Sequence, residues 1–405
     1  MFSLKKTYVL LLDELKHFKK NPMPIILAII CPIITWCILA FIFSKPIISN
    51  IPVTIVDNDN SSLSRTIIKN LKSIEALNVF CVTSDIHEAE KMLMNGETYV
   101  VVQIIKDAEK KLKTNQQADV VVFYNSAKMV YSKVSYKSIA TTLLTISSSI
   151  NIKRMMATGL DFDKAIAHVS PITTHVHVLE NPYFNYGKYL LPGLFLSILQ
   201  MSASYSALFI FRNRRKYDTE IYIPIYVHKL SYLISRLIPL FAANFITILF
   251  LYLGIFPICG VNISSGYFYL FQYSLFFCFV CMGMGAFCSI AFKNIGIGAM
   301  VLLVLNAPAF VFSGYTFPCW AMPPFAQMFA SLIPTTHFLN GFYSIYLYGE
   351  PSFNGVIPLC FIGMVLWLGT VALFYRPGDW LRKLGKDYKD YLDKKIGKED
   401  EIYVD

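Results

Sequence analysis

Two short motifs in this chain have the spacing of metal or redox sites. Cys278 and Cys281 form a Cys-x-x-Cys pair, and His175 and His177 would point to one face of a strand. A structural zinc site uses four such ligands, and no second pair accompanies either motif. We therefore interpret the cysteines as small packing residues and the histidines as a polar strand edge. The sequence predicts no bound metal.

Residues for hydrolytic chemistry are also missing from the sequence. No Gly-x-x-x-x-Gly-Lys-Ser/Thr loop is present to hold nucleotide phosphates. No Ser/His/Asp set or pair of carboxylates stands out within the long apolar segments. We predict that the chain is not an enzyme and that it binds no cofactor itself.

Several amides lie inside long apolar runs of the sequence: Gln200, Asn244, Gln272 and Asn306. A polar side chain in a bilayer costs free energy unless it is paired. Hydrogen bonds between helices would explain these residues, and so would a polar route for a substrate. The sequence leaves both interpretations open.

The composition is that of an integral membrane protein. The chain is 55% hydrophobic and 15% charged, with a mean hydropathy of +0.50, which is too apolar for a soluble protein of 405 residues. A membrane-spanning helix needs about 20 apolar residues. The charge-free runs predict six spans, which are residues 24–44, 189–211, two spans within 237–292, 294–312 and 355–375.

The basic residues predict how these spans are oriented. Lys and Arg are frequent before the first span, between the second and third, and after the sixth. Loops 257–266 and 313–354 contain neither residue. Because Lys and Arg favour the cytoplasmic side, both termini are expected in the cytoplasm. The loop after the second span would then be cytoplasmic, with the sequence Arg212, Asn213, Arg214, Arg215, Lys216, Tyr217, Asp218, Thr219, Glu220.

Three further regions have distinct patterns. Residues 1–22 place apolar side chains along one helical face and lysines on the rest, which predicts an interfacial amphipathic helix. Residues 45–188 have soluble composition and alternate between strand and helix patterns, so we predict an inserted extracytoplasmic α/β domain. Its predicted strands are 52–57, 78–83, 98–104 and 120–124, and its predicted helices are 62–72, 85–94 and 130–156. Residues 376–405 form a charged cytoplasmic tail.

The segment 314–349 predicts a re-entrant hairpin within the bundle formed by residues 189–375. It has no charged residue, and prolines divide it into pieces shorter than the roughly 17 residues that a span requires. Irregular backbone at membrane depth survives only where protein or water satisfies it, so such a hairpin normally borders a translocation route. The alternative interpretation is an apolar loop at the protein surface. The candidate route residues are Gly314, Phe317, Pro318, Met322, Pro323, Gln327 and Pro334.

Three motifs together resemble those of the ABC-2 type transporter permeases, in the exporter class with a large outer domain between spans 1 and 2. The first motif is Pro52-Val-Thr-Ile-Val-Asp57 followed by Asn58-Asp-Asn-Ser-Ser62, and the second is Asn181-Pro182 followed by Leu191-Pro192-Gly193. The third is the prolyl hairpin pattern from Ser313-Gly314 to Phe338-Leu339. The resemblance covers nearly the whole chain.

The resemblance implies a bacterial inner-membrane exporter permease for hydrophobic or amphipathic, drug-like or lipid-like compounds. It implies two cytosolic ABC ATPase subunits that bind ATP and Mg²⁺, and a second permease copy or a sibling permease. Coupling would pass through the loop that contains Arg212, Arg214, Arg215, Asp218, Thr219 and Glu220.

Other partners and one alternative function complete the expectations. Membrane lipids are expected partners, nucleic acid is not, and a periplasmic adaptor on the outer domain is left open. The competing interpretation is a membrane-anchored sensor or scaffold whose outer domain binds a partner.

Overall fold

The computed structural model describes residues 4–44, 49–172, 177, 185–212, 229–261, 263, 266–292, 294–350 and 353–375. The chain divides into two compact units, which are residues 1–44 with 188–405, and residues 45–187. The units are described separately below as the helical unit and the sheet unit. His175 and the loop residues Arg214, Arg215, Asp218, Thr219 and Glu220 lie outside the described residues.

The elements follow in chain order. The chain begins with α1 (Leu4–Lys20), α2 (Met23–Ile25), a π-helical turn (Ile26–Ile30) and α3 (Cys31–Ile42). It continues with β1 (Ile51–Asp57), α4 (Ser62–Lys72), β2 (Leu77–Thr83), α5 (Ile86–Asn95), β3 (Val100–Ile104), α6 (Ala108–Lys113), β4 (Val120–Tyr124), a 3-10 turn (Ser126–Lys128), α7 (Met129–Ala157) and α8 (Phe162–Val169). The remaining elements are α9 (Tyr186–Arg212), α10 (Lys229–Phe250), a π-helical turn (Leu251–Ile255), α11 (Phe256–Ile258), α12 (Tyr267–Ala291), α13 (Ile295–Asn306), α14 (Ala309–Phe312), a 3-10 turn (Cys319–Ala321), α15 (Pro324–Ser331), α16 (Pro334–Tyr348) and α17 (Phe353–Tyr375).

In the described part of the chain, six helical stretches are long and apolar enough to cross a membrane, which is the number predicted. Spans 1 to 6 are Met23–Ile42, Tyr186–Arg212, Leu233–Ile258, Tyr267–Ala291, Ile295–Phe312 and Asn354–Phe374. Pro308 has no N–H group to continue a helix, and it divides span 5, since α13 ends at Asn306 and Pro308 caps α14. Cys278 and Cys281 are fully buried in the apolar core of span 4, as expected for packing residues.

A proline in span 1 explains how that span is held in the bundle. Pro32 has no N–H group, so the carbonyl of Ala28, four residues earlier, lacks its usual helical donor. The hydroxyl of Thr247 in span 3 donates to this carbonyl over 2.9 Å, and Ser202 in span 2 donates to the carbonyls of Leu27 and Ala28 over 2.7 and 3.2 Å. The backbone groups released by the proline thus bind span 1 to spans 2 and 3.

Small residues let span 4 approach its neighbours closely. A Cβ atom on Gly285 would overlap the carbonyl oxygen of Ser204 in span 2, and one on Gly283 would lie 2.8 Å from Nε1 of Trp367 in span 6. The Trp367 ring also stacks on Phe279, with centroids 4.9 Å apart. Span 4 is therefore the centre of the helical unit, in line with the role of small residues at membrane helix interfaces.

The sheet unit contains a four-stranded sheet in the order β2-β1-β3-β4. Strands β1, β2 and β3 are parallel, and β4 is antiparallel to β3. Each of the four strands lies within two residues of its predicted bounds, and α4 matches its predicted range. Helices α6 and α8 were not predicted, since both are shorter than the windows in which helical periodicity is visible.

The turn after β1 is built from its own polar side chains. Oδ1 of Asp57 accepts hydrogen bonds from the N–H groups of Asp59 and Asn60, and Ser61 forms a capping box with Ser64. Such side-chain bonds favour a turn followed by a helix start. The Asp-Asn-Asp-Asn-Ser-Ser motif is thus a turn that begins α4.

Glu109 joins α6 to the start of α4. Its carboxylate accepts hydrogen bonds from the N–H group of Ser62 over 2.9 Å and from the Ser62 hydroxyl over 3.0 Å. It also pairs with Lys113 at 2.7 Å. The Lys113 and Ser62 contacts lower the pKa of Glu109 to about 2.

This pairing predicts a stability that depends on pH. Because the folded pKa of Glu109 lies below the ordinary value of 4.5, its contribution is present above pH 4.5 and lost as pH falls towards 2. Glu109→Gln should lower the unfolding midpoint of the full chain at pH 6 and have a smaller effect at pH 2.5. Glu75→Gln, at an exposed position of the same unit, is the control and should change the midpoint little. If Glu109→Gln lowers the unfolding midpoint equally at pH 6 and pH 2.5, the carboxylate contacts of Glu109 do not stabilise the unit as described.

Candidate functional site

The predicted hairpin segment forms two short helices between spans 5 and 6. Helix α15 has 8 residues and α16 has 15, so neither reaches the length of a span. Helix α16 nevertheless contributes fully buried side chains, including Phe338 and Phe342, to the core formed by the spans. A helix that is too short to cross is thus packed inside the helical unit.

Two tyrosines join the beginning of this segment to the beginning of span 2. The hydroxyl of Tyr189 donates to the carbonyl of Tyr315 over 2.9 Å, and the hydroxyl of Tyr315 donates to the carbonyl of Tyr189. The Tyr315 ring lies directly on Gly193, where a Cβ atom would come within 2.8 Å of it. The close packing of this ring therefore explains why the Leu-Pro-Gly motif has a glycine at position 193.

Tyr315 also contacts the end of α16. Its ring stacks against that of Tyr343, with centroids 5.9 Å apart. The start of the segment and its end therefore meet at the same level of span 2.

A buried polar network holds the other end of α16 at a different level. Oε1 of Gln200 accepts hydrogen bonds from the N–H group of Thr335 over 3.0 Å and from its hydroxyl over 2.6 Å. Nε2 of Gln200 donates to Oδ1 of Asn306 over 2.8 Å, and Nδ2 of Asn306 donates to Ser204 over 3.0 Å. All four side chains are buried. Gln200 and Asn306 are thus brought together as paired groups.

These contacts trace the course of the segment along span 2. Gln200 lies eleven residues after Tyr189 in a helix, which is a separation of about 16 Å. The segment begins beside Tyr189, reaches Gln200 at Thr335, and returns to Tyr315 at Tyr343. Its backbone therefore turns near the middle of span 2.

The remaining hairpin candidates have local roles. Gly314 has a φ of +83°, in the left-handed region that favours glycine. Nε2 of Gln327 donates to the carbonyl of Met322 over 2.8 Å, which closes the loop before α15. Pro323 caps α15, and Pro334 is the first residue of α16, a position where a missing N–H group is tolerated.

Several apolar side chains near the start of the segment are exposed. Pro318 is the N-terminal cap of the 3-10 turn in this stretch. Trp320 and Phe325 are 84% and 77% exposed, and Phe317 is half exposed.

Asn244 does not belong to the polar network. Its Nδ2 donates to the carbonyl of Leu240 in its own helix over 2.8 Å and lies 3.9 Å from Sδ of Met282. Among the described residues, its buried Oδ1 atom has no hydrogen-bond partner. The structure therefore separates Asn244 from Gln200 and Asn306.

At the opposite end of the spans, α1 packs on α10 through a buried ion pair. Oε2 of Glu14 lies 3.6 Å from Nε of Arg236, and their side chains are 3% and 0% exposed. Thr7 and Phe18 of α1 are buried on the same side, while Tyr8 and Leu12 are exposed. The predicted apolar face of α1 is thus wider than the surface that it buries.

Arg236 shows where the sequence interpretation was incomplete. We predicted it only as one of the basic residues that set the topology, but the structure buries it against α1. The available signal was the position of Glu14, which lies four residues before Phe18 and so shares its helical face. Arg212, the described member of the predicted coupling loop, donates to the carbonyl of Phe292 over 2.9 Å and so joins the ends of spans 2 and 4.

Comparison of this sequence with known protein families assigns the chain to one of them. Residues 24–376 match the family model described as ABC-2 family transporter protein. The chain belongs to this family. It is an ABC transporter permease and a multi-pass membrane protein, and its described residues include six helices that are long and apolar enough to cross a membrane.

Two curated relatives of this ABC-2 permease come from Escherichia coli, strains K12 and O157:H7. Each is named as a probable multidrug ABC transporter permease, YbhS, and each is 25% identical to the chain over 206 residues. The match covers 50% of this chain and 52% of each relative. The chain thus spans about half the length of the curated relatives that it matches.

Proposed function

We propose that this permease is the transmembrane subunit of an ABC exporter that moves hydrophobic or amphipathic compounds out across the cytoplasmic membrane. The observation that supports this most strongly is the course of the hairpin segment. Its backbone turns beside Gln200, near the middle of span 2, where a bilayer offers no water to satisfy backbone groups. Gln200 supplies the acceptor for the Thr335 N–H group. A re-entrant helix start at this depth is expected to border a substrate route.

The proposed route runs past the hairpin. Gly314, Phe317, Pro318, Met322, Pro323, Gln327 and Pro334 shape its backbone and its surface. Gln200 and Asn306 hold the turning point in place through their mutual hydrogen bond. Asn244 lies apart from this network, so we assign it no part in the route.

The route is tested at Gly314. Gly314→Leu forces a branched side chain into a left-handed conformation, and its Cβ atom would lie 2.7 Å from Sγ of Cys319. The strain of about 1–2 kcal/mol should change the loop while the spans remain assembled. We expect transport to fall severalfold and the amount of assembled permease to stay near normal. Gly254→Ala is the control, since its nearest neighbour is 3.7 Å away. If the amount of assembled permease falls as much as transport does, the segment has a structural role only.

We propose that the end of the helical unit with α1, Arg212 and Arg236 faces the cytoplasm, together with both termini. The basic residues between spans 2 and 3 support this orientation. The sheet unit would then be an inserted extracytoplasmic domain, available to a periplasmic adaptor.

An impermeant thiol reagent tests the orientation. With the outer barrier made permeable, a cysteine at Asn115 should react from outside and one at Tyr217 should not. The parent chain has nine cysteines and provides the background signal. Reaction at position 217 in intact cells would reverse the proposed orientation.

The proposed energy source is a separate cytosolic ABC ATPase, which holds ATP and Mg²⁺. The permease would function as a dimer with itself or with a sibling chain. The loop of Arg212, Arg214, Arg215, Asp218, Thr219 and Glu220 would contact the ATPase, and α1 would move with span 3 because of the Glu14–Arg236 pair.

Transport itself distinguishes an exporter from a sensor or scaffold. Everted membrane vesicles that contain the permease and its ATPase should accumulate an amphipathic dye when ATP is added. Vesicles without the permease, or with an ATPase that cannot hydrolyse ATP, are the controls. A membrane-anchored sensor or scaffold predicts no ATP-dependent accumulation, and that result would favour the alternative.

A further inference from the structure

The sheet unit contains a cleft of about 660 Å³ between α4, α6 and α7. Clefts of roughly 300–1,000 Å³ are typical of sites for small molecules. The cleft is open to solvent along one side, and all its lining residues belong to this unit. None of the residues named for the transport route lies in it.

The cleft lies between helices that cover one face of the sheet. Helix α4 follows β1 and α6 follows β3, and side chains of α4, α6 and α7 pack on the same apolar core as these strands. The described lining residues all lie on the helices or in the turn after α6, so the helices form the cleft. Ser62 and Glu109, at the starts of α4 and α6, both line the cleft.

The lining combines apolar and hydroxyl groups. The half-buried side chains of Leu63, Leu112, Ile146 and Ile150 form its apolar part. Hydroxyl groups such as that of Ser149 lie beside them. The lining on α7 runs from Thr145 to Arg154, a length of about 14 Å. Such a surface suits an elongated amphiphile better than a compact polar solute.

The charge of the cleft is positive at one end. Glu109 is compensated by Lys113 at 2.7 Å. Arg154 donates to the carbonyl of Leu112 and so lies at the end of α6. Within the described part of the chain, no carboxylate lies within ion-pair distance of Lys153 or Arg154. Two cations without a carboxylate partner favour a ligand with an anionic group.

We propose that this cleft binds a small anionic amphiphile. Its anionic group lies against Lys153 and Arg154, and its apolar body lies along Leu63, Ile146 and Ile150. The proposal does not depend on transport, because the cleft is formed by the sheet unit alone.

Photolabelling of the full chain in nanodiscs of zwitterionic lipid tests the proposal. The probe is dodecyl phosphate with a diazirine on its alkyl chain. The label should map to α4, α6 or α7, and unlabelled dodecyl phosphate should compete at least about tenfold better than dodecyl maltoside, as expected for one charge-assisted contact. Nanodiscs that contain phosphatidylglycerol identify the source of the ligand. Competition by this lipid indicates a membrane lipid, and its absence indicates a soluble amphiphile.

Two variants localise the binding. Lys153→Glu should reduce labelling about tenfold, again the value of one charged contact. Lys133→Glu makes the same change of charge at an exposed position of α7 outside the cleft and should have no effect. Ser149→Trp fills the cleft without a change of charge and should likewise reduce labelling. Labelling of α4 and α7 that is unchanged in Lys153→Glu and Ser149→Trp would overturn the proposal, as would label found only outside this unit.

Discussion

Replacing Glu14 by Gln is expected to lower the stability of the permease by about 3–5 kcal/mol, because it removes the negative charge that lies 3.6 Å from the buried Arg236 guanidinium. The two side chains are 3% and 0% exposed, so water cannot replace the lost carboxylate. The substitution should also loosen α1 from span 3. We expect a lower unfolding temperature in detergent and faster proteolysis within the first 20 residues.

Two further variants separate charge from packing at this contact. Lys16→Gln alters an exposed residue of the same helix and should leave both measurements unchanged. The double variant Glu14→Leu with Arg236→Met replaces the ion pair by apolar groups, which is often neutral or stabilising. It should recover most of the stability that Glu14→Gln loses. If Glu14→Gln is as stable as the parent protein, the ion pair does not hold α1 on span 3.

Replacing Gln200 by Leu is expected to destabilise the permease by several kcal/mol. The change leaves the Thr335 N–H group, the Thr335 hydroxyl and Oδ1 of Asn306 without their partner. Each buried polar group that loses its bond costs about 1–3 kcal/mol. The N-terminal end of α16 should detach from span 2, which would appear as a lower unfolding temperature and new protease cleavage near Pro334.

Asn244→Leu is a matched control for this prediction. It makes a closely similar change in an equally buried position, but among the described residues Asn244 bonds only within its own helix and to a sulfur atom. Its Oδ1 atom has no partner in the described part of the chain, so its removal should cost little or even stabilise the protein. Equal losses in the two variants would contradict the view that Gln200 joins α16 to span 2.

The sequence was sufficient for features that depend on local pattern. Charge-free runs revealed six spans because a bilayer demands long apolar helices, and alternation revealed the strands of the sheet unit. The kink at Pro308 follows from the chemistry of proline alone.

Contacts between distant residues could not be predicted in this way. Gln200 and Thr335 are 135 positions apart, and Tyr189 and Tyr315 are 126 apart. The sequence indicated that Gln200 needs a partner, but an amide can be satisfied by many groups. Glu14 had no role in the predicted amphipathic helix, and only the packing of α1 on α10 shows that it meets Arg236.

Purification of the tagged permease from its native membrane tests the central proposal most directly. We predict that a cytosolic ABC ATPase copurifies with it, and that charge reversal of Arg214 and Arg215 to Glu weakens this association while the chain remains inserted in the membrane. The control is the same tag on an unrelated membrane protein of similar abundance. A correctly inserted, folded permease that recovers no ATPase under gentle conditions, with or without ATP, would contradict the proposed function and favour a membrane-anchored sensor or scaffold.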